Sequence, residues 1–262
     1  MTASSPHPPP HPPPWLPGDW PLVPRLDTDL HVVPAGVRGA DLAAAMARAA
    51  AAGLTDLGIA AHARPDPDWF DGYVETVRAA AGVARTTIHC GLEVALLGPD
   101  GRTDLSPSLH RGLSRVDYVV LVPAPAADWG DRARPGRRAE IVTLAALRAA
   151  AGLAVPVVLA APFPDEAGPD TLHALGWACA RAGVAVEVSE RRRTPSAPAA
   201  TVLARAGVRL VAGSGARSAA AIGRWDHVRA VAAALTAAAD AAGTGTAGAA
   251  GTAARTRPSS RP

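Results

Sequence analysis

Residues 117–122 read Asp-Tyr-Val-Val-Leu-Val, and residues 155–160 read Val-Pro-Val-Val-Leu-Ala. Neither run alternates polar with apolar residues, so neither suits a sheet with one wet face. A continuous β-branched run is what a strand carries when both of its faces are covered. Working outward from these two, similar runs recur along the chain. The strand candidates are Arg25–Val33, Asp56–His62, Thr87–Leu97, Asp117–Val122, Pro156–Ala161, Val184–Glu190 and Val208–Ala212. Between them lie Ala-rich helical stretches at Ala40–Ala52, Trp69–Ala81, Arg137–Ala151, Pro169–Ala182, Pro195–Ala206 and Arg224–Ala239, with a shorter connection at 107–114. Gly53, Gly152, Gly183 and Gly207 each follow such a stretch, where a helix C-terminus favours glycine. Seven strands in strict alternation with helices predict an α/β fold with a parallel sheet, closed into a barrel. No G-x-G-x-x-G or Walker loop follows any strand, which argues against an open nucleotide-binding sheet.

Composition narrows the classes further. The chain has 262 residues, 48% hydrophobic and 19% charged, which suits one α/β barrel of about 250 residues. No run of about 18 residues is apolar enough for a membrane span. The start, MTASSPHPPPHPPPW, has neither the basic nor the apolar region of a secretory signal. Two cysteines, Cys90 and Cys179, are too few for a disulfide framework and suit a reducing compartment, so a cytoplasmic location is expected. All 26 basic residues are Arg, and with Ala so abundant the bias reads as codon usage. The arginines are scattered, apart from Arg191–Arg193 and a group at 132–138, and aromatics are only 4% of the chain. With no platform for stacking bases, a nucleic acid partner is not expected. Residues 1–24 hold ten prolines and read as a disordered, polyproline-like tail carrying His7 and His11. Residues 241–262, mostly Gly, Ala, Thr and Ser, read as a second disordered tail, which leaves 25–240 as the folded domain.

In a parallel barrel the functional side chains come from the C-terminal ends of the strands. The first strand ends in Asp29-Leu30-His31, with Asp29 and His31 on one face by alternation. The second ends in His62, the third carries Glu93, the sixth carries Glu187, and the turn Ser214–Arg217 follows the seventh. Imidazole and carboxylate groups at adjacent strand ends make a natural divalent-metal site, and a carboxylate such as Asp29 would orient a ligating histidine. His89, four residues before Glu93, reads as a hydrogen-bonded histidine of the interior or the barrel floor. Solvent exposure is the expectation for His110, His173 and His227. Trp69, Trp129, Trp177 and Trp225 read as packing or rim residues, with Trp69 placed to wall the site mouth. Arg191 and Arg193, beyond the sixth strand, are candidates for a phosphate contact. Ser214 has no His and acid arranged around it in a recognisable motif, and Cys90 faces away from Glu93 by alternation.

These residues resemble the polymerase-and-histidinol-phosphatase (PHP) superfamily over 25–232. DTDLHVV resembles its opening D-L-H-x-H, GLTDLGIAAHA its T-D-H segment, and IHCGLEV its G-x-E. DYVVLVPA looks like the strand that normally ends in His, VVLAAPFP the A-H-P strand, and VAVEVSE the G-x-E-x-N strand. GVRLVAGSGARSAAAIGRW resembles the S-D-A-H turn and its following helix. The resemblance implies a distorted seven-stranded (β/α) barrel and a metal-dependent phosphoesterase with up to nine ligand positions. Carried over residue by residue, only His31, His62 and Glu93 keep a ligating side chain. The other positions hold Val33, Gly39, Ala124, Ala161, Gly215 and Arg217, and the T-D-H carboxylate is replaced by Ala61.

Three readings are open. In the first, the metal centre is degraded and the protein is a pseudoenzyme that keeps a cleft for an anionic ligand. Arg217 then stands where a metal was, paired with Glu93 or Asp29, since a stranded carboxylate at a partly buried site is costly. In the second, His31, His62 and Glu93 converge on one zinc or manganese ion and the protein hydrolyses a small phosphate ester. In the third, it is an interaction protein working through its proline-rich tail.

Overall fold

A computed structural model describes residues 26–31, 39–63, 68–82, 84, 86–125, 129, 136–160, 167–216 and 218–249, with backbone alone at 26–31, 39–41 and 242–249. Its strands are β1 (Leu26–His31), β2 (Asp56–His62), β3 (Thr87–Leu96), β4 (Tyr118–Pro123), β5 (Val157–Leu159), β6 (Ala185–Ser189) and β7 (Leu210–Gly213). The helices are α1 (Gly39–Ala51), α2 (Asp68–Ala81), α3 (Pro107–Gly112), α4 (Arg137–Ala150), α5 (Pro169–Arg181), α6 (Ala197–Arg205) and α7 (Asp226–Ala249). Short 3₁₀ turns lie at Leu113–Arg115 and Ala219–Ala221. None of these helices is long and apolar enough to cross a membrane.

The strands hydrogen-bond in chain order, β1 to β7, and every neighbouring pair is parallel. The sheet curls until β1 lies against β7, giving the α/β architecture of a TIM-like barrel. Alternation then sorts the side chains into two apolar layers. One residue set packs between sheet and helices: Leu57, Ile59 and Ala61 of β2, Cys90, Leu92 and Val94 of β3, Val119 and Leu121 of β4, Val186 and Val188 of β6. The alternate set, Ala60, Tyr118, Val120, Val158, Ala160, Ala185 and Val211, forms a separate cluster inside the curl. Two covered faces explain the unbroken apolar runs, and each fully buried Leu or Val contributes about 1.5–3 kcal/mol.

Cross-links tie helices to the sheet. The Tyr73 hydroxyl on α2 lies 2.8 Å from the Ile59 carbonyl oxygen and 2.7 Å from that of Gly91, sharing its proton between β2 and β3. Arg78, one turn on, donates to both carboxylate oxygens of Asp117, while Asp117 Oδ2 accepts the Cys90 N–H at 2.7 Å.

Several element ends differ from expectation for local reasons. The helix expected from Pro195 begins at Ala197, because the Ser196 hydroxyl caps it by accepting from Ala199 N–H. The 107–114 connection becomes α3 plus a 3₁₀ turn, capped in the same way by Ser106. The last helix runs to Ala249, past the expected end at Ala239. Gly53, Gly183 and Gly207 take the left-handed conformation that closes a helix, while Gly152 does not. The proline-rich stretch 1–24 lies outside the described residues.

Candidate functional site

Strand register decides which side chains can meet at the C-terminal end of the sheet. His62, the last residue of β2, pairs in register with Glu93 of β3. In-register neighbours on parallel strands stand about 4.8 Å apart on the same face, and the two side chains close that gap. His62 Nδ1 lies 2.7 Å from Glu93 Oε1. The histidine is half exposed, with 51% of its side chain accessible, whereas the glutamate is 8% exposed. His31 pairs with Ala60, two residues before His62, one layer deeper along the strand axis. The β1–β2 register slips between Asp27 and Leu30, so Asp29 falls within the irregularity. The side chains of Asp29 and His31, and all of Arg217, Ala161 and Val33, lie outside what the structure describes.

A further carboxylate joins this corner. After β3 the chain turns at 98–101 and doubles back, with Leu97 N–H donating to the Arg102 carbonyl and Asp104 N–H to the Ala95 carbonyl. Asp104 Oδ1 in turn accepts from Ala95 N–H at 2.8 Å. Burial raises the Asp104 carboxyl above its ordinary pKa; the Glu93 charge adds to this and His62 opposes it. Sequence reasoning passed over Asp104, although the Pro99-Asp100-Gly101 turn signal was there to bring it back beside β3.

A second polar group lies on β6 and β7. Glu187 and Ser189 share the inner face with Ala185, and both are buried. Glu187 lies across Gly213: a Cβ added there would sit 2.1 Å from Oε1. Arg191 lies across Gly215, whose φ is +59°, with Nε 3.2 Å from a Cβ built at that glycine. Ser214 uses its hydroxyl to accept Ala216 N–H at 3.0 Å, so it shapes its own turn. Glu190 is not a free rim anion, since its carboxylate accepts from His227 N–H at 3.1 Å and Val228 N–H at 3.0 Å and so caps α7. Arg193 is exposed and held at φ 54°.

Between these two groups run β4 and β5, and their inner faces are apolar. Val120, Val158 and Ala160 are buried there. The Tyr118 ring crosses β3 at Gly91, where a Cβ would meet its Cζ at 2.3 Å. Among the described residues no three His, Cys, Asp or Glu side chains gather into a group that could hold a metal ion. The donor set they present is one imidazole and one carboxylate bonded to each other, fewer than the three protein ligands of a catalytic zinc site.

The other singled-out residues are accounted for by packing. His89 is buried, with Nε2 3.0 Å from Asp56 Oδ1 at the N-terminal end of the sheet. His110 and His173 are exposed. His227, expected in solvent, is buried, and its Nε2 lies 3.0 Å from the Pro195 carbonyl oxygen; the capping of α7 by Glu190 draws that face of the helix inward. Trp129 is buried and donates to the Ala124 carbonyl, and Trp225 is buried. Trp177 is 54% exposed beneath Arg181, and Trp69 stacks edge-on against Phe70. Cys90 and Cys179 are buried free thiols, and burial pushes them up to about 11 and about 12.

No family model and no curated protein matches the chain. Among solved structures, the chain is similar to the histidinol phosphate phosphatase of Lactococcus lactis subsp. lactis Il1403, crystallised with zinc, L-histidinol and phosphate. That likeness has a TM-score of 0.53 at 14% identity, over 82% of this chain and 94% of the other. Weaker likenesses are to N-isopropylammelide isopropylaminohydrolase of Burkholderia multivorans ATCC 17616, with a TM-score of 0.44 at 16% identity over 77% of this chain and 62% of the other, and to deoxyribose phosphate aldolase of Aeropyrum pernix, with a TM-score of 0.40 at 14% identity over 83% and 90%. At these identities the phosphatase likeness establishes the fold.

Proposed function

We propose that this chain is a diverged PHP-type barrel, closed by seven strands, whose metal centre is degraded and whose cleft binds a small anionic or phosphate-ester ligand without turning it over. The observation that carries this reading is the state of the strand ends. His62 and Glu93 are bonded to each other at 2.7 Å, and the facing strands offer Val120, Val158 and Ala160. A metal that clamps attacking and leaving oxygens needs ligands on several strands, and apolar side chains on β4 and β5 supply none. The fold likeness to a phosphatase crystallised with zinc and phosphate supports a cleft shaped for a phosphoryl group. Arg191 and Arg193, at the end of β6, supply cations for it, and Arg217 is the candidate counter-charge for Glu93 or Asp29.

One observation favours the mononuclear alternative. The donor atoms of His62 and Glu93 already converge on adjacent strands, so a zinc or manganese ion also held by His31 would find two ligands in place. Metal analysis and phosphomonoesterase assays on the purified full chain separate the two. The degraded-centre reading expects sub-stoichiometric metal and no hydrolysis of a generic phosphomonoester with added manganese or zinc. Stoichiometric metal that is lost in Glu93→Ala would replace it with the alternative.

A further inference from the structure

Three large apolar side chains are exposed among the described residues: Leu97, Leu144 and Trp177. Trp177 is 54% accessible, whereas Trp129 and Trp225 are buried and Trp69 is partly covered. Trp177 stands on α5 between His173 and Arg181, both exposed, and the four-residue spacing sets all three along one edge of the helix. α5 packs closely on α6 at Gly176, where an added Cβ would lie 3.0 Å from Ala206 Cβ and 3.2 Å from Leu203 Cδ2. One residue on, Trp177 is turned about 100° further round the helix, away from the buried Leu172, Leu175 and Cys179. Its ring therefore stands on the outer rim of the α5–α6 seam.

The ring is held in place and only half used. The Arg181 guanidinium lies 5.0 Å from its centroid, a cation–π contact that covers one face and fixes the ring plane. The indole N–H makes no hydrogen bond among the described residues. A flat ring with a free donor at its edge suits a polyproline strand. Prolines stack on aromatic rings, and the carbonyls of such a strand, unpaired within it, accept from an indole N–H. Leu97 and Leu144 offer neither feature.

The chain carries such a segment. Residues 6–14 read PHPPPHPPP, seven prolines in nine residues. Pro6, Pro9 and Pro12 recur every third residue, which is one turn of a polyproline helix, and so share an edge. The start of the sheet sets the segment's reach. Leu26 opens β1, and β1, β7 and β6 are neighbours round the barrel. α5 ends at Arg181, shortly before β6 opens at Ala185, so Trp177 lies toward the same end of the sheet as Leu26. Helix and strand dimensions put the two roughly 30 Å apart. Residues 13–25, which join Pro12 to β1, span about 40 Å as an extended polyproline-like chain. We propose that residues 6–14 dock on this edge of α5 in their own molecule. The Pro6–Pro9–Pro12 edge lies against the open face of Trp177, and the indole N–H donates to a backbone carbonyl of the segment. A pre-extended strand loses little entropy on docking, and the tether makes the encounter intramolecular.

The test is paramagnetic broadening in the full-length protein. Ser5→Cys adds one reactive thiol beside the segment, since Cys90 and Cys179 are buried, and a nitroxide attached there reports where the segment lies. In ¹⁵N-labelled protein, the Trp177 indole N–H signal, identified by its loss in Trp177→Phe, should vanish and return when the nitroxide is reduced. The signals of Trp129 and Trp225, which follow β4 and β7 at the opposite end of the sheet, should persist. Pro9→Ala with Pro12→Ala should restore the Trp177 signal with the nitroxide still active. A Trp177 signal that the nitroxide leaves unchanged overturns the proposal. So does broadening that survives the two proline substitutions, because the segment would then pass α5 without its prolines holding it. Mixing nitroxide-labelled chains with unlabelled ¹⁵N chains tests the tether: broadening in that mixture makes a second copy the donor of the segment and overturns docking within one molecule.

Discussion

Beneath the ring of Tyr118, Gly91 has no side chain because there is no room for one: a Cβ would fall 2.3 Å from the ring carbon bearing the hydroxyl. The ring belongs to the inner layer, so the clash would propagate into the cluster that fills the curl. Gly91→Ala should therefore lower stability by about 1–3 kcal/mol, the usual cost of overpacking a filled core. Urea unfolding measures this, and Tyr118→Leu in the same chain should recover part of the loss. Equal midpoints for Gly91→Ala and wild type would be incompatible with this packing. Asp104 allows a second test. Its folded pKa is raised, chiefly by burial, so its contribution to stability is full below the unfolded value and is lost as pH rises through the folded one. Asp104→Asn keeps an oxygen to accept from Ala95 N–H. It should raise stability at pH 7 and have little effect near pH 3. A destabilised Asn variant at pH 7 would mean that the charge itself is favoured, through a partner beyond those that bury it.

At the scale of elements, α2 is fastened to the sheet by polar groups as well as by its apolar stripe. Asp117 is the hub, accepting from both Arg78 and the Cys90 N–H. Asp117→Ala leaves a buried N–H unsatisfied and should cost about 1–3 kcal/mol by chemical denaturation. The Cys90 thiol of β3, under α2, and the Cys179 thiol on the buried face of α5 give these elements a pH signature. Cys90 and Cys179 are raised to about 11 and about 12. Their folded pKa values exceed the unfolded ones, so this stability is whole below about pH 9 and is lost as pH climbs through those values. Native protein at pH 8 should be nearly inert to a thiol reagent, reacting fully once unfolded. Rapid reaction of the native protein would show that these helices open far more readily than their packing implies.

Much of this scale was legible in the sequence, because period and punctuation act locally. The apolar runs at 117–122 and 155–160 marked strands covered on both faces, and β2 runs from Asp56 to His62 as expected. Helix starts were harder. Pro195 read as the first residue of a helix, but Ser196 offers the capping hydroxyl and leaves the Pro195 carbonyl to His227. The site was legible only in part for a related reason. His62 and Glu93 could be placed at strand ends, but their 2.7 Å contact depends on a register between two strands. Glu190 and His227 take their roles from chain segments far from them in sequence, and no window of residues carries that information.

Across the whole molecule, the strand ends of the TIM-like barrel divide into two polar corners. One joins His62, Glu93 and Asp104 on the β2–β3 side; the other joins Glu187, Ser189 and Arg191 on the β6–β7 side. The apolar inner faces of β4 and β5 run between them. The fold is a scaffold that hosts many chemistries, so function has to be argued from these corners. On the proposed reading, the first corner is a hydrogen-bonded pair that no longer gathers a metal, and the second is where an anion is held. The most direct test is elemental analysis of the full-length protein purified without a His tag, with thermal unfolding followed as zinc, manganese or iron is added. A degraded centre predicts metal well below one equivalent and no thermal shift. Near-stoichiometric metal that falls in His31→Ala or Glu93→Ala would refute it and make the barrel a working metal site.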